Sequence, residues 1–226
     1  MYHSYPGLRL DEVESVAHAA VTALLSAGIR SCLVGGMACS IYGNPRVPSD
    51  VDIVCLTDKH TQEELKAILV NKDSNFYTVA SKDPTATYRV LWYRLSGLGR
   101  YKRCKVDVLA PGIMNIPAVP PSRIAYRASR SDLPLMPFLP LLLLKLQAWM
   151  DHRTAAKQYL VVKQYTDVRD IDELLELAAS EFNVDLKADR RWLPESFVRA
   201  AATRVKSYVR NYPDSAEHWK EIGFNV

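Results

Sequence analysis

The chain has 226 residues, 48% hydrophobic and 24% charged, with a net charge of +4. This composition excludes a low-complexity or collagen-like chain, and it supplies apolar material for one domain or two small ones without structural disulfides or metal. The mild basicity permits an anionic partner such as a nucleotide or RNA but does not demand one.

In chain order, the first predicted element is a helix over 11–28. Asp11 and Glu14 form a capping-box pattern, Val13, Val16, Ala17, Ala20, Leu24 and Leu25 recur at helical spacing, and Gly28 is the stop. A short buried strand over 31–34 runs into Gly35-Gly36 and a short helix over 37–42. A proline-containing loop over 44–49 leads to a second strand over 51–56. Thr61 and Glu64 form another capping box and open a helix to residue 70. Strands are predicted over 76–80, 88–95 and 103–109, the last two as a hairpin around a turn at 96–99. Pro111, Pro117, Pro120 and Pro121 then mark a surface linker. Beyond it the pattern is helical, over 138–150, 154–165, 168–181, 194–210 and 216–222. The expected fold is α/β (α+β): a mixed, mostly antiparallel sheet with helices on one side, over 1–115. A linker over 116–137 and a C-terminal helical domain over 138–226 follow, with the active site in the cleft between them.

The four cysteines, Cys32, Cys39, Cys55 and Cys104, show no zinc-ligand spacing and sit in apolar stretches, so reduced, buried thiols are expected. The first ten residues carry no secretory leader pattern. The apolar stretch 133–146 is broken by Pro134, Pro137 and Pro140 and is too short to cross a bilayer. A cytoplasmic location with no membrane partner is therefore expected.

The chemistry concentrates in three places. At Leu33-Val34-Gly35-Gly36-Met37-Ala38 a strand passes through two glycines into a helix start, where backbone approaches a ligand closely and free N–H groups favour an anion. Asp50 and Asp52 are two apart on a strand and so point to one face. Two carboxylates about 4 Å apart repel by roughly 4 kcal/mol at an effective dielectric of 20. A hard divalent cation cancels that repulsion, as in phosphoryl-transfer sites; the plain alternative is two solvent-facing acids. Asp107 is a third acid in a strand otherwise fit for burial, which calls for a salt bridge to Lys105 or Arg103, plain exposure, or a place beside the first pair.

The order and spacing of Gly35-Gly36, Asp50-x-Asp52 and Asp107 resemble the DNA polymerase β-like nucleotidyltransferase superfamily. The wider string from Val34 to Val54, with Arg46 before the acids, resembles its subgroup of AbiEii-type toxins and related minimal nucleotidyltransferases. Pro48 stands where that subgroup often has Thr, with Ser49 directly before Asp50. Leu141 to Ala148 with Arg153 looks like the subgroup's helix after the catalytic strands, and Asp167-Val168-Arg169-Asp170 like its later acidic pair. The resemblance implies transfer of a nucleoside monophosphate from an NTP to a hydroxyl on an RNA or tRNA end, a protein side chain or a small molecule, with release of pyrophosphate. It implies Asp50, Asp52 and Asp107 as catalytic and metal-binding residues for two Mg²⁺ ions, Mn²⁺ being an alternative. Gly35, Gly36, Arg46, Ser49 and Lys145 become nucleotide-binding candidates. The alternative is a catalytically inactive NTP- or RNA-binding module of the same fold. The base, the acceptor and the oligomeric state stay open.

For Asp167 and Asp170, capping or ion-pair roles are favoured over catalysis. Arg94, Arg100, Lys102, Arg103 and Lys105, with Tyr93 and Tyr101, either guide an RNA or polyphosphate acceptor or form a charged hairpin edge that resists aggregation. Arg190, Arg191, Arg199, Arg204, Lys206 and Arg210 read as a solvated helix face. His18, His60, His152 and His218 receive no role.

Overall fold

The computed structural model describes residues 7–95 and 102–226; the predicted hairpin turn at 96–99 lies outside them. The chain opens with α1 (Leu10–Ser26), β1 (Ser31–Val34), α2 (Gly35–Tyr42), β2 (Asp50–Cys55) and α3 (Gln62–Lys72). Strands β3 (Phe76–Ala80), β4 (Arg89–Arg94), β5 (Arg103–Leu109), β6 (Ala125–Arg127) and β7 (Arg130–Leu135) complete the sheet. Helices α4 (Phe138–Arg153), α5 (Gln158–Leu177), α6 (Leu186–Asp189), α7 (Glu195–Asn211) and α8 (Ala216–Ile222) follow.

The seven strands lie in the order β3-β4-β5-β2-β1-β7-β6. Pairing is parallel at β2/β5 and β1/β7 and antiparallel elsewhere, which gives the mixed, mostly antiparallel sheet that was expected. The central strands are the most apolar because both of their faces are covered: β1 is buried along its whole length. α1 lays Val13, Val16, Ala17, Ala20 and Leu24 into the core. Its start differs from expectation. The helix begins at Leu10, and the Glu12 carboxylate reaches back to accept from the Arg9 N–H at 2.8 Å. Asp11 instead pairs with Arg9, and Glu14 with Arg130 on β7. The Thr61–Glu64 box caps α3 as the pattern required, with Thr61 N–H donating to Glu64 at 2.7 Å.

Two further expectations change. The segment read as a linker, 116–137, contributes β6 and β7 to the sheet, and Leu133 and Leu135 are fully buried. Its prolines concealed this. Pro134 falls in the stretch of β7 where its pairing with β6 is irregular, and a missing N–H is tolerated at such a bulge. The helices predicted over 154–165 and 168–181 are one continuous α5, beginning at Gln158. The polar Thr166-Asp167 pair looked like a break, but Asp167 is buried and paired, and no Gly or Pro interrupts the hydrogen-bond ladder. α5 ends in a π-helical turn (Ala178–Phe182) closed by Asn183 at φ 46°.

One hydrophobic core runs from α1 and the sheet through Leu141, Leu142 and Leu143 of α4 to Trp149, Tyr208 and Trp219. Phe197, Ala201 and Val205 of α7 face inward and Arg190, Arg191, Arg199, Lys206 and Arg210 are exposed, as expected, but Arg204 departs from that face: it is half-buried, with an Nη1 that has no partner among the described residues. All four cysteines are buried free thiols, and burial pushes each up to about 12. Among the described residues no helix is long and apolar enough to cross a membrane.

Replacing Leu135 by Ala should cost about 2–5 kcal/mol in urea denaturation, because it opens a cavity beside β1. Replacing exposed Tyr126 of β6 by Ala should change stability by no more than about 0.5 kcal/mol. Equal, small effects would show that β7 is not part of the core.

Candidate active site

β1 ends where α2 begins, at Gly35, which adopts φ +66°. A Cβ there would overlap Oδ2 of Asp52, so only glycine lets this backbone lie against that carboxylate. A Cβ on Gly36 would sit 3.0 Å from the Arg46 guanidinium. The two glycines are thus needed first for packing, against an acid and a cation. The N-terminal N–H groups of α2 are left at the same spot.

β2 carries Asp50 and Asp52 on one face and buries Val51 and Ile53 on the other. β5 lies parallel to β2 with Asp50 opposite Lys105 and Asp52 opposite Asp107. Directly opposed residues share a face, so all three acids and Lys105 stand together. Asp52 is half-buried, and its carboxyl is pushed up to about 7. Burial is the main cause, followed by repulsion from Asp50 and Asp107. Lys105 Nζ donates to Asp107 at 2.6 Å. Burial works against the lysine's charge, but Asp107 outweighs it and holds the lysine above its ordinary pKa. Asp107 therefore has both partners weighed from sequence at once, Lys105 and the acid pair. Among the described residues no group of three or more His, Cys, Asp or Glu side chains is arranged, as it stands, to hold a metal ion.

These groups line a cavity of about 550 Å³. Gly35, Gly36, Arg46, Ser49, Asp50, Asp52, Asp107 and Lys145, the eight residues singled out from sequence, all reach its wall. Ser49 Oγ donates to Asp50 at 3.4 Å. Arg46 and Lys145 are not free cations. Arg46 grips Asp170 with Nε and Nη2, both at 2.7 Å, and Lys145 Nζ donates to the same carboxylate at 2.8 Å. Asp170 is fully buried. Burial alone would raise its pKa, but Arg46 and Lys145 outweigh that and hold it below the ordinary carboxylate value. One carboxylate between two cations leaves net positive charge on the wall facing the acids.

The far wall comes from α4 and α5 and contains groups that the sequence did not reveal: Gln147, Asp151, His152, Lys163 and Thr166. His152, given no role above, places Nδ1 2.6 Å from Asp167 Oδ2. Burial pushes the Asp167 carboxyl up, and the histidine contact only partly offsets this. No local signal foretells that pair, which forms only when α4 and α5 pack. His18 likewise meets Asp132 on β7, at 3.0 Å.

Changing Asp170 to Asn should cost roughly 3–5 kcal/mol in urea unfolding, since it strands two partly buried cations. Asp52→Asn should act in the opposite direction. A carboxyl whose folded pKa lies above its unfolded one contributes no penalty below about pH 4 and a growing one as pH rises through 7. In the presence of a chelator the Asn variant should be more stable than wild type by about 2–4 kcal/mol at pH 8, with the gap closing near pH 4. A gap independent of pH would rule out that origin.

No protein-family model matches the chain, and no curated protein does. Among solved structures it is similar to an antigenic nucleotidyltransferase-like protein from Paracoccidioides brasiliensis, with a TM-score of 0.67 and 20% identity over 96% of this chain and 95% of that one. The chain therefore has a nucleotidyltransferase-like fold.

Proposed function

We propose that the protein is a metal-dependent nucleotidyltransferase that moves a nucleoside monophosphate from an NTP to an acceptor hydroxyl. The observation that carries this reading is the register of β2 on β5, which sets Asp50, Asp52 and Asp107 on one face beside the Gly35-Gly36 turn. The donor set fits Mg²⁺ or Mn²⁺: hard carboxylate oxygens, one of them with a pKa raised by burial and like charge. Asp50 and Asp52 would hold the metal, with Asp107, whose carboxylate Lys105 engages, as the third ligand. The bound metal would neutralise triphosphate charge and ease deprotonation of the acceptor.

The chain's own groups account for the rest. The α2 N-terminus offers N–H donors to a phosphate. Arg46 and Lys145, braced by Asp170, would present positive charge in the same cavity without having to be ordered on binding. In the reaction the acceptor oxygen forms a bond to the α-phosphorus, the bond to the pyrophosphate oxygen breaks, and the hydroxyl proton leaves toward the carboxylates. The work is positioning and charge compensation rather than covalent catalysis.

Thermal melting with each NTP, with and without Mg²⁺, tests the reading. A preferred NTP at 100 times its Kd adds about 2.7 kcal/mol, or roughly 5–10 °C for a chain of this size. The shift should require Mg²⁺ and vanish in Asp50→Asn and Asp52→Asn, while pyrophosphate release with a competent acceptor falls at least about 10³-fold, or ~4 kcal/mol. Stabilisation without Asp-dependent pyrophosphate release would instead indicate an inactive NTP-binding module. No stabilisation by any NTP would end the enzyme reading.

A further inference from the structure

The acid face of the sheet does not stop at the cavity. Strand pairing sets Tyr77 opposite Trp92, Trp92 opposite Lys105, and Lys105 opposite Asp50. These four side chains form one row across β3, β4, β5 and β2, spanning three inter-strand steps, or about 14 Å. The next pair along, Arg94 and Arg103, shares the face. Arg103 lies over the Trp92 ring at 4.3 Å and Arg94 over the Tyr77 ring at 4.4 Å. Arg94 is also tied down by donating to the Ser74 carbonyl at 2.8 Å. Both rings are half-buried and both guanidiniums exposed. The opposite face, with Phe76, Leu91, Cys104 and Val106, is core.

This sorts the basic hairpin of the sequence. Tyr93 belongs to the core face, packed edge-on against Phe76. Lys102 is taken by Glu12. Arg100 and Tyr101 lie outside the described residues. What remains is a shelf of two guanidinium–aromatic stacks leading through Lys105 to the acids. Among the described residues neither Arg94 nor Arg103 has a carboxylate within salt-bridge distance. The indole N–H of Trp92 is buried beneath this shelf and is not part of its exposed surface.

We propose that this shelf binds a single-stranded nucleic acid and leads its terminal hydroxyl to the acids. Guanidiniums held flat on rings offer planes on which bases stack and N–H edges that take phosphates. The shelf lies beyond the cavity, with only Lys105 common to both, so an acceptor small enough to fit the cavity would leave it unused. An acidic peptide would satisfy the charges but has no use for the stacked planes. The purpose of the bound strand rests on the transferase reading, whereas binding itself does not.

The test is fluorescence anisotropy of a labelled 12-nucleotide single-stranded RNA of mixed sequence with the intact protein, alongside tryptophan fluorescence. Wild type should bind with quenching that Trp92→Phe abolishes. Arg94→Gln and Arg103→Gln should each weaken binding roughly ten-fold and flatten the salt dependence by about 0.7 in log–log slope. The Mg²⁺–NTP melting shift should be unchanged in these variants, and Asp52→Asn should still bind RNA. Absence of RNA binding, or variants that bind like wild type, would overturn the shelf. Equal competition by polyglutamate would overturn it as well, reducing the shelf to mere charge. RNA binding with these sensitivities but no NTP shift would defeat the transferase reading and leave the shelf standing. An NTP shift without RNA binding would do the reverse.

Discussion

The parallel pairing of β2 with β5 is the constraint on which the rest depends. Asp52 opposes Asp107 and Asp50 opposes Lys105 only in that register. A slip of one residue would turn one strand's polar set into the core and bring the buried Val106 and Val108 out. The apolar residues alternating with the acids on both strands therefore hold the acids in place, and burying Val51, Ile53, Val106 and Val108 is what keeps the carboxylates together. The same register carries the row outward through Trp92 to Tyr77.

Packing three like charges this closely is unfavourable for folding, and the structure shows where that is tolerated. Asp52 bears most of it, wedged against Gly35 with its carboxyl raised toward neutrality. Lys105 relieves Asp107 directly. Residues that destabilise their own fold in this way are not there for stability.

Asp170 solves a separate problem. It reaches from α5 to Arg46 in the loop before β2 and to Lys145 on α4. Breaking such a buried, multiply bonded carboxylate costs far more than a surface ion pair. It joins the helical half to the sheet half at the cavity and fixes two cations there. Lys145, in an otherwise apolar run of leucines, is thus a wall residue braced by a carboxylate rather than a free cation.

Much of this was legible in the residues themselves. The glycine turn, the Asp-x-Asp spacing, the Thr61 cap and the alternation in β5 are local patterns, governed by backbone sterics and by strand and helix periods that act over two to four residues. They pointed to the glycines and the acids, while Arg46, Ser49 and Lys145 were joined to them only by the family resemblance. The tertiary structure alone decided which face of β4 turns toward the acids, that 130–135 is a strand, and that His152 meets Asp167. It also decided that Arg46 is claimed by a carboxylate 124 residues away. Those outcomes depend on which surfaces meet once the chain closes on itself, and a charge or a proline in sequence carries no record of its distant partner.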